Sequence, residues 1–452
     1  MSHSPQERPG TPLRSACVVA GLALCVRLVS LLLAGDWDDP LAGEPAEEVR
    51  IAQGIAKGLG FVTPFRDMDS PTGPFHPSAH SPPGYPYLLA GILRLAGPSP
   101  GDGRTPYRAA LLLNVAVGAA AAAVVALVAG ATQGRKALWC VGLLTTFWPT
   151  LVRQSGFLWD TPFAMLAVAS ALCVATSAEL SQTPGRSLLI GGSWGLLTLF
   201  SPNVAPLLLA SLILYAFRGA DPRRGIRLLA YAGAAWLLCL APWLLRSIWV
   251  FGRLVPIRHN FGLELWMGNL PDSDGTTLSA CRYHPMDHPA ERALINALGD
   301  DEYMKLKSSQ ASGLILTAPW DFLRRSGQRV SLFWLSDTRR PTVFLGIRWP
   351  MVGGVNAAKG LLNGSLIIGA LLGSVVWRSS AGRYAAWFGL LVLPLPYYLT
   401  HVSSSYRVIV DPILCLLFGI FMAWVLTSSS IRELLRGSLR SIGRMKRPHQ
   451  AW

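Results

Sequence analysis

The sequence predicts an all-α polytopic membrane protein with about ten transmembrane helices. Its 452 residues are 51% hydrophobic and only 14% charged, whereas soluble domains carry about 25% charged residues. Several uncharged apolar runs approach the ~17–20 residues that cross a hydrocarbon core. Because only helices and closed barrels satisfy the backbone in lipid, and the alternating ten-residue pattern of a barrel is absent, the spans are expected to be helical.

The distribution of basic residues predicts the orientation of the chain. The net charge is +15, and Lys and Arg concentrate in short loops and in residues 428–452, which is typical of cytoplasmic segments. We therefore expect both termini inside, in a bacterial-type plasma (inner) membrane. Membrane topology and contact with anionic lipids explain these positions of Lys and Arg better than nucleic-acid binding does. Chemistry is expected outside, because all acidic residues fall on the external side except Glu7, Glu179, Asp221, Asp411 and Glu433.

The apolar runs and the loops divide the chain into seven predicted segments. Residues 85–97 are apolar but too short to span comfortably, so we expect an external juxtamembrane helix there. Residues 290–309 are predicted as a polar helix, and the amphipathic residues 311–335 as a stretch that lies along the surface or crosses. The segments are a cytoplasmic N-terminus (1–14), a first transmembrane helix (15–34), an external loop with juxtamembrane helices (35–107), a transmembrane bundle (108–250), a larger external loop domain (251–340), C-terminal transmembrane helices (341–427) and a basic cytoplasmic tail (428–452).

The cysteines and histidines form no recognisable metal or disulfide framework. Six of the seven cysteines lie in apolar runs, and no CxxC or HExxH motif is present. We therefore expect polar contacts within loops rather than a metal site, and no required cofactor, although a divalent metal is left open. This applies to the external histidines His76, His80, His259, His284, His288 and His401.

Three glutamates open the first external loop. Glu44 precedes Glu47 by three residues and Glu48 by four, so a helix would place them on one side. Like charges this close raise at least one pKa, which suits a carboxylate that accepts a proton near neutral pH. The alternative is an acidic first turn that complements the dipole of the helix-like segment 50–61. The sequence alone leaves both interpretations open.

Asp160 is the second external carboxylate that could take part in chemistry. It lies between a span and Pro162, so helix capping is the alternative to holding an acceptor or a metal. Arg246, Arg258 and Arg407 lie at external ends of spans. They could anchor the chain to lipid phosphates, or they could hold a substrate phosphate and stabilise it as a leaving group.

Several short motifs follow one another along the chain in a recognisable order. They are IA (51–52), GLGF (58–61), PTGP (71–74), PPGYPYLLA (82–90), LWDT (158–161), PWLLRS (242–247), VPIRHNFGLELWMGN (255–269), HPAERALINALGDDEYMKLK (288–307) and YR (406–407). Together they resemble the GT-C superfamily of polytopic glycosyltransferases, in the branch of protein O-mannosyltransferases and lipid A aminoarabinose transferases. Each motif is weak alone, but their order covers nearly the whole chain.

The resemblance implies an inverting glycosyltransferase that moves a hexosyl or pentosyl group from a polyprenyl-phosphate-linked donor to a glycan, lipid or protein acceptor outside the membrane. Aligned on Ile51, Glu44 replaces the catalytic aspartate of the family and Glu48 replaces its tyrosine. Glu44 is thus the expected base, with Glu47 or Glu48 as alternatives, and Asp160 orients the acceptor or the base. Substrate contacts are expected from His80, Tyr85, Arg246, Arg258, Asn269, His401, Tyr406 and Arg407.

Two other functional classes compete with this interpretation. A lipid or solute transporter could use the intramembrane residues Arg27 and Asp411 as pathway residues. Transporters of that kind are typically built from inverted repeats, which the sequence does not show. A non-catalytic glycan-assembly protein of the same fold is the other alternative.

Overall fold

The computed structural model describes residues 11–41, 46–65, 75–97, 103–177, 180–335, 342–344, 347–349, 353–403 and 405–428. Glu44 and most of the basic tail therefore lie outside the described residues. The described strands form one short antiparallel hairpin, β1 (Thr342–Phe344) with β2 (Ile347–Trp349), and helices make up most of the rest. The predicted all-α class is confirmed.

Nineteen α-helices and four 3-10 turns are present among the described residues. Single 3-10 turns lie at Gln154–Gly156, Pro202–Val204, Cys281–Tyr283 and Tyr406–Ile409. The α-helices are α1 (Thr11–Leu33), α2 (Ala46–Ala56), α3 (Gly84–Ala96), α4 (Thr105–Gln133), α5 (Arg135–Phe147), α6 (Pro149–Arg153), α7 (Thr161–Thr176), α8 (Pro184–Phe200), α9 (Ala205–Ala216), α10 (Pro222–Phe251), α11 (Phe261–Asn269), α12 (Thr277–Ala280), α13 (Pro289–Leu298), α14 (Asp300–Thr317), α15 (Pro319–Leu335), α16 (Gly353–Val376), α17 (Ser380–Val392), α18 (Leu395–Leu399) and α19 (Asp411–Thr427).

Four of these helices contain stretches long and apolar enough to cross a membrane, whereas the sequence predicts about ten spans. The stretches are Pro12–Leu33, Thr105–Gln133, Pro222–Phe251 and Ala358–Val376. Shorter apolar helices accompany them at Thr161–Thr176, Pro202–Ala216 and Asp411–Thr427. The protein is thus a helical membrane protein with several candidate spans.

Glycines allow the apolar helices to approach each other closely. α8 packs on α10, α16 packs on α19, and α4 contacts α1, α5 and α7. A Cβ added at Gly191 would lie 2.0 Å from the carbonyl oxygen of Ala232 on α10. At Gly373 it would lie 1.8 Å from the carbonyl oxygen of Leu417 on α19. Small residues at such contacts are typical of membrane helices, which gain little from burying apolar side chains away from lipid.

The first loop, which connects α1 to α4 and contains α2 and α3, folds against the start of the bundle. Ile51 of α2 and Tyr85 of α3 belong to one buried cluster that also includes residues of α1 and α4. Arg94 of α3 donates to the carbonyl of Ile55 at 2.6 Å, which holds the end of α2 against α3. The helix predicted over residues 85–97 is present as α3.

Helices α11 to α14 build a second unit with its own apolar cluster, into which Phe65 of the first loop inserts. The single polar helix predicted over residues 290–309 is instead two helices. Gly299, with φ of 81°, ends α13 and begins α14. Glycine tolerates this left-handed backbone without a Cβ clash, so it is a common helix terminator.

Candidate active site

Glu48, in the first turn of α2, has a carboxylate oxygen that is free to act on another group. Its Oε2 atom is buried and accepts no hydrogen bond from the described residues. Burial, together with the negative charges of Glu47 and Asp160, raises the pKa of the Glu48 carboxyl to about 8. The positive charge of Arg258 acts in the opposite direction and is weaker. A strongly perturbed carboxyl between specific charged partners is typical of functional sites.

Asp160 precedes α7 and contributes the second carboxylate. It occupies the N-cap position, but its side chain makes no capping hydrogen bond. Burial raises the pKa of Asp160 to about 6, against the opposing effects of the Arg258 charge and a hydrogen bond from Ser201. The capping role that the sequence left open is therefore not the role of this carboxylate.

Arg258 links the two carboxylates to a hydrogen-bonded chain of residues that ends at Thr277. Its Nε atom donates to Oδ1 of Asn260 at 2.6 Å, and Asn260 donates to Oε1 of Glu264 at 2.9 Å. Oε2 of Glu264 lies 2.6 Å from Nε2 of His401, whose Nδ1 lies 3.1 Å from the Thr277 hydroxyl. The terminal nitrogens of Arg258 make no hydrogen bond with the described residues, so they are available to an anion.

The carboxylate of Glu264 is held in its charged form. Burial acts to raise its pKa, but the hydrogen bond and charge of His401 and the charge of Arg258 outweigh burial and lower the pKa to about 2. Glu264 thus fixes His401 and balances the charge of Arg258 without competing for a proton at neutral pH.

Three tyrosines surround the charged centre. The hydroxyl of Tyr85 accepts a hydrogen bond from Asn114 at 3.0 Å, and burial, with the charges of Glu48 and Asp160, raises the pKa of Tyr85. Tyr397 and Tyr406 stack with ring centroids 4.7 Å apart. Tyr397 lies within electrostatic range of Arg258, Asp160 and Glu264, and Tyr406 within range of Glu264.

Glu47 points away from this centre and binds two histidines. Its Oε2 lies 3.0 Å from Nε2 of His80, and its Oε1 lies 3.0 Å from Nε2 of His284. The ring of Phe65 packs edge-on against both imidazoles. Burial alone would raise the pKa of Glu47, but the two histidine charges and their hydrogen bonds hold it well below the usual value. Glu47 also raises the pKa of His284, against the lowering effect of burial.

Among the described residues, Glu47, His80 and His284 form a group that could hold a metal ion. Their possible ligand atoms lie within 4.8 Å of one another. Two imidazoles and a carboxylate form a ligand set that suits zinc. However, Nδ1 of His284 accepts from the Met286 amide at 3.3 Å, which places the proton of the neutral ring on Nε2, facing Glu47. Nδ1 of His80 is buried without a partner, whereas ligating histidines normally donate from that nitrogen. These contacts are more consistent with protons shared between Glu47 and the two imidazoles than with a bound metal ion.

The remaining predicted substrate contacts lie in other environments. Arg246 donates to the carbonyls of Ser78 and Phe61 at 3.1 and 3.0 Å. Asn269 donates to backbone carbonyls of α11 and of Leu399. Arg407 is buried, and its Nε donates to Asp411 at 3.0 Å. Their substrate roles, like that of Glu44, stay predictions.

Several residues of the centre were not singled out from the sequence. Asn260 and Glu264 lie four residues apart at the start of α11 and could have been noticed as a hydrogen-bonding pair at helical spacing. Tyr397 and Ser201 carry no recognisable sequence signal. The 3-10 turn that follows Ser201 contacts α7, and Tyr397 of α18 packs against the apolar cluster that contains α7 and accepts a hydrogen bond from Asn203 of that turn.

Comparisons with known proteins identify the fold. No protein-family model matches the chain, and no curated protein sequence matches it. The apo oligosaccharyltransferase of Archaeoglobus fulgidus is similar in structure, with a TM-score of 0.51 and 12% identity over 96% of this chain and 52% of that chain. The oligosaccharyltransferase AglB of the same organism, in complex with an inhibitory peptide and a dolichol-phosphate, gives a TM-score of 0.49 and 12% identity over 92% and 52%.

This chain spans 52% of the length of the archaeal chains it matches. At 12% identity the similarity concerns the fold alone. The chain has a polytopic helical membrane fold similar to that of an archaeal oligosaccharyltransferase.

Proposed function

We propose that the chain is a membrane glycosyltransferase that transfers a sugar from a polyprenyl-phosphate-linked donor to an acceptor hydroxyl at the external face of a bacterial-type plasma membrane. The fold similarity supports a polytopic membrane scaffold. The motif resemblance supports a polyprenyl-phosphate-linked donor. The observation that carries the proposal is the pair of half-buried carboxylates, Glu48 and Asp160, beside the free terminal nitrogens of Arg258.

In the proposed reaction the acceptor oxygen attacks the anomeric carbon from the side opposite the phosphate. The carbon–oxygen bond to phosphate breaks, and its electron pair leaves with the polyprenyl phosphate. The hydroxyl proton passes to the free oxygen of Glu48, whose pKa of about 8 makes its ionised form an effective base near neutral pH. The configuration at the anomeric carbon is inverted by this single displacement.

The other two residues position the charges. Asp160, with a pKa of about 6, is largely ionised at neutral pH and orients the acceptor by accepting a hydrogen bond from a second polar hydrogen of the acceptor, since the proton of the attacking hydroxyl goes to Glu48. Arg258 offers its terminal nitrogens to the phosphate, where charge increases as the bond breaks. The donor carries its own phosphate and Arg258 neutralises part of that charge, so no step is assigned to a metal.

The experiment is a release assay with purified protein. A panel of polyprenyl-phosphate hexoses and pentoses serves as donors, a bacterial membrane extract supplies acceptors, and free polyprenyl phosphate is measured. Glu48→Gln and Asp160→Asn should each lower release by about 100-fold or more. Asp321→Asn, which removes an exposed acid on α15, should have no effect.

Each alternative has its own outcome in this assay. Full activity in both carboxamide variants would overturn the proposed roles of Glu48 and Asp160. Loss of activity in Glu44→Gln with normal activity in Glu48→Gln would assign the base to Glu44, as the motif resemblance implies. No release from any donor by the unaltered protein would favour the transporter or the non-catalytic assembly protein.

A further inference from the structure

A groove with positive charge opens between helix ends remote from the carboxylate pair. It has a volume of about 230 Å³ and lies where α4 and α16 end, α5 begins and α19 ends. Gln133 and Lys136 line one side, Arg378 and Thr427 another, and Ile420 and Trp424 form part of its apolar wall. The groove thus combines hydrogen-bond donors, two cations and aliphatic surface.

This groove lies on the opposite face of the membrane from the candidate active site. α4 begins beside the first external loop, where Arg108 donates to the carbonyl of Trp37 at 2.9 Å. Its 29 residues correspond to ~43 Å of helix, which is the full thickness of a bilayer with its headgroups. Gln133, the last residue of α4, therefore lies at the level of the inner headgroups.

The two cations have no protein partner in the part of the chain that the structure describes. Lys136 and Arg378 are exposed and take part in no ion pair there, and no described carboxylate lines the groove. The segment that follows Thr427 is itself basic, with six Lys or Arg and a single Glu over residues 429–452. Like charges repel, so this segment is a poor occupant of the groove.

The apolar wall distinguishes a lipid from a free anion. Ile420, Ala423 and Trp424 continue the groove along α19 toward the hydrocarbon. Trp424 is 45% exposed, and its ring stacks with Phe421, as is common for tryptophans at the level of lipid headgroups. A phosphate held by Lys136 and Arg378 would leave acyl chains beside this wall. Basic pockets between transmembrane helices on the cytoplasmic side commonly bind anionic lipid headgroups.

We propose that this groove binds the headgroup of an anionic glycerophospholipid of the inner leaflet, with Lys136 and Arg378 on its phosphate and α19 against its acyl chains. The site is independent of the proposed sugar transfer, because it lies at the other face and shares no residue with it.

The test uses the full chain in detergent and native mass spectrometry with added phosphatidylglycerol or phosphatidylcholine. The unaltered protein should retain phosphatidylglycerol in preference to phosphatidylcholine. The double variant Lys136→Gln/Arg378→Gln should bind phosphatidylglycerol about tenfold more weakly or worse. The matched control Arg186→Gln/Arg223→Gln removes the same charge from exposed positions outside the groove and should bind as the unaltered protein does.

Several results would overturn the proposal. These are equal retention of the two lipids, equal loss of binding in the two double variants, or complete displacement of the lipid by inorganic phosphate. A preference for polyprenyl phosphate over phosphatidylglycerol would assign the groove to the donor lipid instead. The rate of sugar transfer by Lys136→Gln/Arg378→Gln should stay within about twofold of the rate of the unaltered protein. The lipid-binding proposal and the sugar-transfer proposal can therefore be refuted independently.

Discussion

Two substitutions should shift the pH dependence of sugar transfer in opposite directions. The reaction needs Glu48 ionised, so kcat/KM should rise with pH through the pKa of Glu48, which is about 8. The negative charge of Asp160 raises this pKa, and the positive charge of Arg258 lowers it. Asp160→Asn should therefore move the midpoint of the rise to lower pH, and Arg258→Met should move it to higher pH.

The size of each shift follows from the electrostatics of the site. Unit charges ~8 Å apart in a medium of effective dielectric constant ~20 interact by about 2 kcal/mol, which corresponds to about 1.5 pK units. Asp160 affects Glu48 more strongly than Arg258 does. We therefore expect a downward shift of about 1 to 2 units in Asp160→Asn and an upward shift of about 1 unit or less in Arg258→Met.

The assay is polyprenyl phosphate release at low donor concentration across the pH range, with each variant normalised to its own maximum. Normalisation separates the position of the midpoint from the loss of rate that both substitutions also cause. Arg258→Lys is the matched control, because it keeps the positive charge and should keep the midpoint near that of the unaltered protein. Shifts of the same sign in Asp160→Asn and Arg258→Met, or no shift in either, would refute the assignment of Glu48 as the base.

Three further predictions concern stability and metal content. His284→Asn should lower the melting temperature more at pH 6 than at pH 9. The pKa of His284 is raised in the folded protein, so the stability it contributes is complete below the unfolded pKa of ~6.5 and disappears as pH rises through the folded-state pKa. Equal losses of melting temperature at both pH values would contradict this. The purified protein should contain no stoichiometric zinc and should keep its activity in EDTA, whereas one zinc per chain that is lost in Glu47→Gln would show that the cluster is a metal site. Gly373→Ala should destabilise the protein by about 1–3 kcal/mol through overpacking against Leu417, while Gly364→Ala on the same helix, where a Cβ meets nothing within 4 Å, should not.

Local sequence signals were sufficient for much of the fold. The apolar runs predict the helical membrane class, and the helix over residues 85–97 is present as α3. The break at Gly299 was not predicted, because the charges on both sides continue at helical spacing. A glycine between two polar segments is a terminator signal that this regular spacing obscured.

The composition of the site could be predicted only in part. Asp160, Arg258 and the glutamates of α2 are visible in the sequence as charged residues in the loops that follow apolar runs. The partners of Glu47 are not visible in this way, because His284 lies 237 positions further along the chain and belongs to the separate unit of α11 to α14. Contacts of that kind depend on how α11 to α14 dock on the first loop, and one sequence has no local pattern that encodes this docking.

The fold gives different environments, and therefore different roles, to the two adjacent glutamates Glu47 and Glu48. Neighbouring helix positions point about 100° apart, so the first turn of α2 directs Glu47 toward His80 and His284 and Glu48 toward Asp160 and Arg258. Both oxygens of Glu47 are occupied and its pKa is lowered, which makes it a poor proton acceptor at neutral pH. Its negative charge nevertheless raises the pKa of Glu48. Glu47 therefore makes Glu48 a stronger base while its contact with His284 binds the unit of α11 to α14 to the first loop.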